Sequence, residues 1–107
     1  MEENEVVTAL AALAQVARLS AYRYLVVAGP QGITPGEMAE SLQIAPNTLS
    51  FHLKELLNAG LISQERIGRN LVYRANFERM NELLSFLTAN CCGGAECLPT
   101  STVSCKC

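Results

Sequence analysis

A chain of 107 residues, half of them apolar and 17% charged, is sized for one domain and too apolar for a disordered segment. It is also richer in aliphatic side chains than a lone small core needs, which predicts a homodimer. A net charge of −2 argues against a general binder of polyanions. Apolar runs are interrupted before the ~20 residues of a membrane span, and acidic residues fill Met1 to Glu5 where a secretory signal is basic. The expectation is a cytoplasmic protein without membrane contact.

The Ala- and Leu-rich stretch 6–17 predicts a helix that is apolar around most of its circumference, suited to burial against a partner chain. A second helix, Gln15 to Ala28, is expected to turn Leu19, Tyr22, Leu25 and Val26 inward and to stop at Gly29-Pro30-Gln31-Gly32. Thr34-Pro35-Gly36-Glu37 reads as a capping box opening a short helix that buries Met38, Ala39 and Leu42. Pro46 opens a fourth helix that ends at Gly60, with Leu49, Leu53, Leu56 and Leu57 in one stripe and Thr48, Ser50, His52 and Glu55 directed elsewhere. Two extended runs, Leu61–Arg66 and Leu71–Ala75, flank a hairpin tip at Ile67-Gly68-Arg69-Asn70, where Gly68 and Asn70 supply backbone freedom. A last helix spans Phe77 to Ala89 with Met80, Leu83, Leu84 and Leu87 at helical spacing. The fold class is therefore mainly α with a β-hairpin (α+β), in the order α-α-α-α-β-β-α: a winged helix-turn-helix. It is expected to occupy residues 1–90, followed by a cysteine-rich tail, 91–107.

Two short helices on a tight turn, followed by a hairpin, place the second helix in a DNA major groove and the hairpin tip near the adjacent backbone. Residues 46–76 carry four basic side chains against two acidic ones, so electrostatics permits nucleic acid there. Asn47, Thr48, Ser50 and His52 offer hydrogen bonds to bases or phosphates, and Phe51 an apolar surface for a thymine methyl. Lys54, Arg66 and Arg69 are candidates for phosphate contact. Each has an ordinary alternative: local backbone capping for Thr48 and Ser50, packing for Phe51 and His52, solvation for the arginines. Their order along the chain favours DNA.

Ala12-Leu13-Ala14 through Arg18-Leu19, Glu37-Met38-Ala39, Asn47 through Lys54, and Leu56 through Ile62 resemble the ArsR/SmtB repressors, as do Gly68-Arg69 and Val72-Tyr73-Arg74. The similarity covers roughly residues 8–90. It implies a homodimer joined through the first and last helices, bound to double-stranded operator DNA and released by an inducer, with Asn47, Ser50, Phe51 and His52 facing the groove. The chain departs from that family's familiar sensing sites. Ile33-Thr34-Pro35-Gly36-Glu37 stands where many arsenic sensors have a Cys-x-Cys pair, and a chain with no Asp and one His lacks the zinc sensors' ligands on the last helix.

All five cysteines, Cys91, Cys92, Cys97, Cys105 and Cys107, fall in the last 17 residues. A disulfide framework would distribute them through the fold, so the cluster points to soft-metal ligation or redox sensing. Gly93 and Gly94 let the chain double back, so Cys91, Cys92 and Cys97 can form a three-thiolate cup for trivalent arsenic or antimony. Some family members resemble this chain in carrying such a pair plus one further C-terminal cysteine for arsenite. Cys105 and Cys107 are auxiliary ligands or spectators. A four-thiolate zinc or cadmium site, a redox disulfide and a two-sulfur site for a trivalent organoarsenical stay open. So does a metalloid carrier that uses the helices only to dimerise. The first 90 residues are expected to fold without a cofactor. With neither a nucleophile–base pair nor a phosphate-cradling loop, the chain is not expected to be an enzyme.

Overall fold

The computed structural model describes residues 1–89. In chain order they form α1 (Glu3–Leu13), α2 (Val16–Ala28), a single 3-10 turn (Gly29–Gln31), α3 (Pro35–Leu42), α4 (Pro46–Asn58), β1 (Ile62–Ile67), β2 (Asn70–Ala75) and α5 (Phe77–Thr88). This is the expected winged helix-turn-helix. Among the described residues no helix is long and apolar enough to cross a membrane. The five cysteines, and with them the tail as a binding unit, lie outside the described residues.

Local chemistry explains the helix boundaries. The Glu5 carboxylate accepts from the Glu2 backbone N–H at 2.8 Å, satisfying one donor that the start of α1 would leave open. That hydrogen bond, with a smaller contribution from the Arg79 guanidinium, lowers the Glu5 pKa below its ordinary value. Gln15 caps α2 by accepting from the Arg18 N–H at 2.9 Å, and α2 stops at Gly29, which takes a φ of +73°. Thr34 caps α3 as expected, accepting from the Glu37 N–H. In place of a reciprocal box, the Glu37 carboxylate accepts from the Thr34 hydroxyl at 3.0 Å.

The core runs through every helix. Leu25 of α2, Met38 of α3, Leu49, Leu53 and Leu56 of α4, Leu61, and Leu83 of α5 are its largest fully buried side chains. Leu42 and Leu57 pack against it half-buried. Two expectations need correction, for Leu19 and for the hairpin tip. Leu19 is 45% exposed, because the α2 face that enters the core runs through Ala21, Tyr22 and Leu25. On α5, where the spacing made no assignment of burial, Leu83 is buried and Leu84, Phe86 and Leu87 are exposed. The hairpin tip is shorter than expected: Ile67 pairs with Asn70 within the ladder, so the turn is Gly68-Arg69 alone. Gly68 has a φ of +63° and Asn70 has no positive φ, so the glycine alone supplies the freedom that a two-residue turn of the II′ kind needs.

The hairpin is tied to the helices at its base. Ile33, just before α3, pairs with Tyr73 through two backbone hydrogen bonds of 2.8 and 3.0 Å. Gly32 precedes it at a φ of +71°, and a Cβ there would stand 2.5 Å from Val72 Cγ1 and 2.7 Å from the Tyr73 oxygen. Arg74 donates to the Pro30 carbonyl at 2.7 Å and to Glu65 at 2.7 Å. Arg74 therefore braces the hairpin, and because it pairs with Glu65, the local positive excess noted in the sequence rests on Lys54, Arg66 and Arg69 against Glu55.

Candidate nucleic-acid interface

The turn between α3 and α4 sets the angle at which α4 leaves the domain. α3 ends on Gln43 at a φ of +54°, the one non-glycine in the left-handed region among the described residues. The chain then returns through an Ile44 N–H to Ala39 oxygen bond of 3.1 Å. This closes the last turn of α3 and starts α4 three residues later at Pro46. Ala45 has no side chain able to cap α4, and Pro46 has no N–H to satisfy. Leu49 donates the first helical bond, to the Ala45 oxygen at 2.9 Å. The Asn47 and Thr48 N–H groups thus lie in the uncapped first turn, at the positive end of the helix dipole, an arrangement that favours a neighbouring phosphate.

One hundred degrees per residue separates two faces of α4. Leu49, Leu53 and Leu56 enter the core. Asn47, Ser50, Phe51 and Lys54, spaced i, i+3, i+4, i+7, form a single outward stripe, and all four are exposed, Phe51 by 57%. An exposed phenylalanine inside a polar stripe near a helix start resolves the choice left open by sequence: Phe51 is not core. Thr48 is exposed on the flank of the stripe.

His52 departs from its expected position. It is 7% exposed, the one buried polar residue other than the tyrosines among the described residues, and sits on the core flank of α4. Its Nδ1 lies 3.4 Å from an Arg18 guanidinium nitrogen, and its ring meets Phe51 edge-on at 5.7 Å. Expected to point away from the leucine stripe, it turns instead toward Arg18 of α2. The structure thus brings Asn47, Ser50, Phe51 and Lys54 together and sets His52 behind them. Arg66 and Arg69 stand exposed on the hairpin, Arg69 in its turn. Neither forms an ion pair among the described residues, in contrast to Arg74 and Arg79.

Sequence reasoning missed the side chains that hold α4 in place. Arg18 reaches it from α2. Asn76 caps α5 by accepting from the Arg79 N–H at 3.2 Å and donates to the Gly60 oxygen at 3.0 Å, which links the end of α4 to the start of α5. An Asn before a helical run is a visible cap signal, but its second bond is tertiary and leaves no periodicity in the sequence.

Comparison with known proteins agrees with this geometry. Residues 10–65 match a family model described as a helix-turn-helix domain. An uncharacterized HTH-type transcriptional regulator of Bacillus subtilis, YbzH, is 36% identical over 56 residues, 52% of this chain and 56% of that protein. The arsenical resistance operon repressor of the same organism is 41% identical over 49 residues, 46% of this chain and 47% of that protein. Matches to curated relatives span between 17% and 56% of those proteins' lengths. Among solved structures, an ArsR-like transcriptional regulator from Rhodococcus sp. RHA1 superposes with a TM-score of 0.71 at 25% identity, covering 78% of this chain and 76% of that one. The chain belongs to the helix-turn-helix domain family and is a winged-helix protein of the ArsR type.

Proposed function

We propose that this protein is a transcriptional repressor that grips operator DNA as a homodimer and lets go when trivalent arsenic or antimony is bound by Cys91, Cys92 and Cys97. The observation that carries the DNA-binding half is the outward stripe Asn47, Ser50, Phe51 and Lys54 beside an uncapped helix start. It offers hydrogen-bonding groups, an apolar contact and a cation on one groove-sized face. Exposed Arg66 and Arg69 on the hairpin add phosphate contacts that fix register. Exposed apolar side chains on α1 (Val7, Leu10) and α5 (Leu84, Phe86, Leu87) support a dimer built from these two helices.

The inducer half rests on the sequence. Three thiols within seven residues suit a soft, pyramidal ion, and they follow the end of α5 at Thr88 by only a few residues. Drawing them onto one ion would redirect the chain at the end of α5 and change the packing of the dimer. The two recognition helices would then no longer match half-sites one turn apart, ~34 Å. A hundredfold weakening needs only about 2.7 kcal/mol of differential affinity between the two dimer states. Because thiols must lose protons to bind, the response strengthens as pH rises.

Fluorescence anisotropy of a labelled operator duplex, titrated with arsenite under reducing conditions, tests this reading. Release by arsenite from the unaltered protein and retention by Cys91→Ser/Cys92→Ser/Cys97→Ser is the expected pair of results. Release from the triple variant would remove the site assignment. Release by cadmium or zinc, or by an oxidant in place of arsenite, would assign the cysteines to those inducers instead.

A further inference from the structure

Arg18 has two partners in two different helices. Its Nε donates to the Ala12 carbonyl at 2.7 Å, one of the last four carbonyls of α1, which α1 itself leaves without an acceptor's partner. No basic side chain of α1 occupies that last turn, so the guanidinium also supplies the positive charge that a helix C-terminus favours. Its Nη1 lies 3.4 Å from His52 Nδ1 in the middle of α4. A guanidinium can only donate, so His52 Nδ1 is the acceptor and the ring proton belongs on Nε2. The backbone of Arg18 is fixed independently by the Gln15 cap. Arg18 also lines an open cleft of about 420 Å³ between α1 and α4, together with Thr8, Glu55 and Asn58.

We infer that Arg18 is a positioning residue for the DNA-reading face: it braces the recognition helix α4, through His52, against the C-terminal end of α1. Three features carry this. His52 is buried, the one such polar residue other than the tyrosines among the described residues, and its neighbour in sequence, Phe51, points outward in the reading stripe. The His52 and Phe51 rings also touch, so a rotation that breaks the Arg18 contact disturbs the exposed ring as well. Finally, α1 carries the exposed Val7 and Leu10 assigned above to the dimer interface. The brace therefore connects the helix that sets subunit geometry to the helix that reads bases. The inference rests on the DNA-binding reading and adds to it a residue that never touches DNA.

The test uses the full chain and a duplex enriched by the unaltered protein from a randomised pool, one turn or more in length, with an unselected duplex for comparison. Arg18→Met and His52→Leu are each expected to weaken binding to the selected duplex roughly tenfold, about what 1.4 kcal/mol of lost orientation would give. Binding to unselected DNA should change by less than about twofold, since that binding depends on phosphate contacts rather than on aim. The double variant should lose little more than either single one, because both break the same link. His52→Gln, which retains an acceptor, should recover most of the affinity. A long-range ¹⁵N spectrum should show His52 Nδ1 unprotonated in the unaltered protein, with its resonance shifted in Arg18→Met.

Equal weakening on both duplexes, multiplicative losses in the double variant, or His52→Gln behaving like His52→Leu would overturn the proposal. If Arg18→Met does not fold, the His52→Gln and His52→Leu pair decides. Failure of the unaltered protein to enrich any sequence would remove the DNA-binding reading, and the brace with it; normal enrichment with an indifferent Arg18→Met removes the brace alone.

Discussion

The Arg79 guanidinium lies directly over Gly60: a Cβ on that glycine would stand 3.1 Å from Arg79 Nε and 3.5 Å from Arg79 Cζ. Gly60 also holds a φ of +76° at the end of α4, and the same arginine reaches Glu5 of α1 at 3.5 Å. The glycine thus allows the recognition helix to end where α5 crosses back toward α1. Gly60→Ala meets both the left-handed backbone and the arginine, so it should lower stability by about 1–3 kcal/mol. Urea unfolding followed by circular dichroism reads the loss. By contrast Gly68→Ala, with nothing within 4 Å of its would-be Cβ, meets the backbone term alone and should cost only about 1 kcal/mol.

Gln43 occupies the helix-turn-helix bend at a φ that disfavours side chains, and nothing in its hydrogen bonding beyond the closing of α3 repays it. Gln43→Gly is expected to stabilise the domain by about 0.5–1 kcal/mol, raising the thermal midpoint by a few degrees. DNA affinity should stay unchanged, because the side chain lies outside the reading stripe.

The exposed apolar residues of α5 predict an oligomeric effect rather than a folding one. Leu84→Glu/Leu87→Glu should yield a folded monomer by sedimentation velocity, since Leu83, the buried anchor of this helix, is untouched. Its binding to a palindromic duplex should weaken far more than its binding to a half-site.

Lys54, Arg66 and Arg69 are expected to contact phosphates. Each single alanine variant should weaken selected and unselected duplexes alike and flatten the slope of log K against log salt by roughly 0.9. Arg74→Ala should behave differently, because its guanidinium is committed to Glu65 and Pro30. Its main effect is on the stability of the hairpin.

Much of the architecture could be read from local signals. Thr34 and Pro35, Pro46, and Gly60 mark helix ends through chemistry confined to a few residues, and Leu49, Leu53 and Leu56 declare their face by spacing alone. The errors came where a position depends on a distant partner. Leu19 looks like a core residue by type, yet nothing within its own helix says that the neighbouring face was chosen. On α5 the helical spacing of Leu83, Leu84 and Leu87 does not by itself say which of them enters the core; only Leu83 does. His52 is polar, so the binary pattern assigned it outward; only Arg18, 34 residues earlier, gives its buried ring a hydrogen-bond partner. Of the eight residues expected at the DNA face, the seven other than His52 are exposed, while the cysteines lie outside the described residues.

The most direct test of the account is the discrimination ratio of a variant in which the outward stripe alone is blunted, Asn47→Ala/Ser50→Ala/Phe51→Ala. Measured as affinity for the selected duplex over an unselected one, this ratio should fall to near unity in the variant, with unselected binding and thermal stability close to those of the unaltered protein. A variant that keeps its full preference would mean that α4 does not read the sequence, and the assignment of this face to DNA would be wrong.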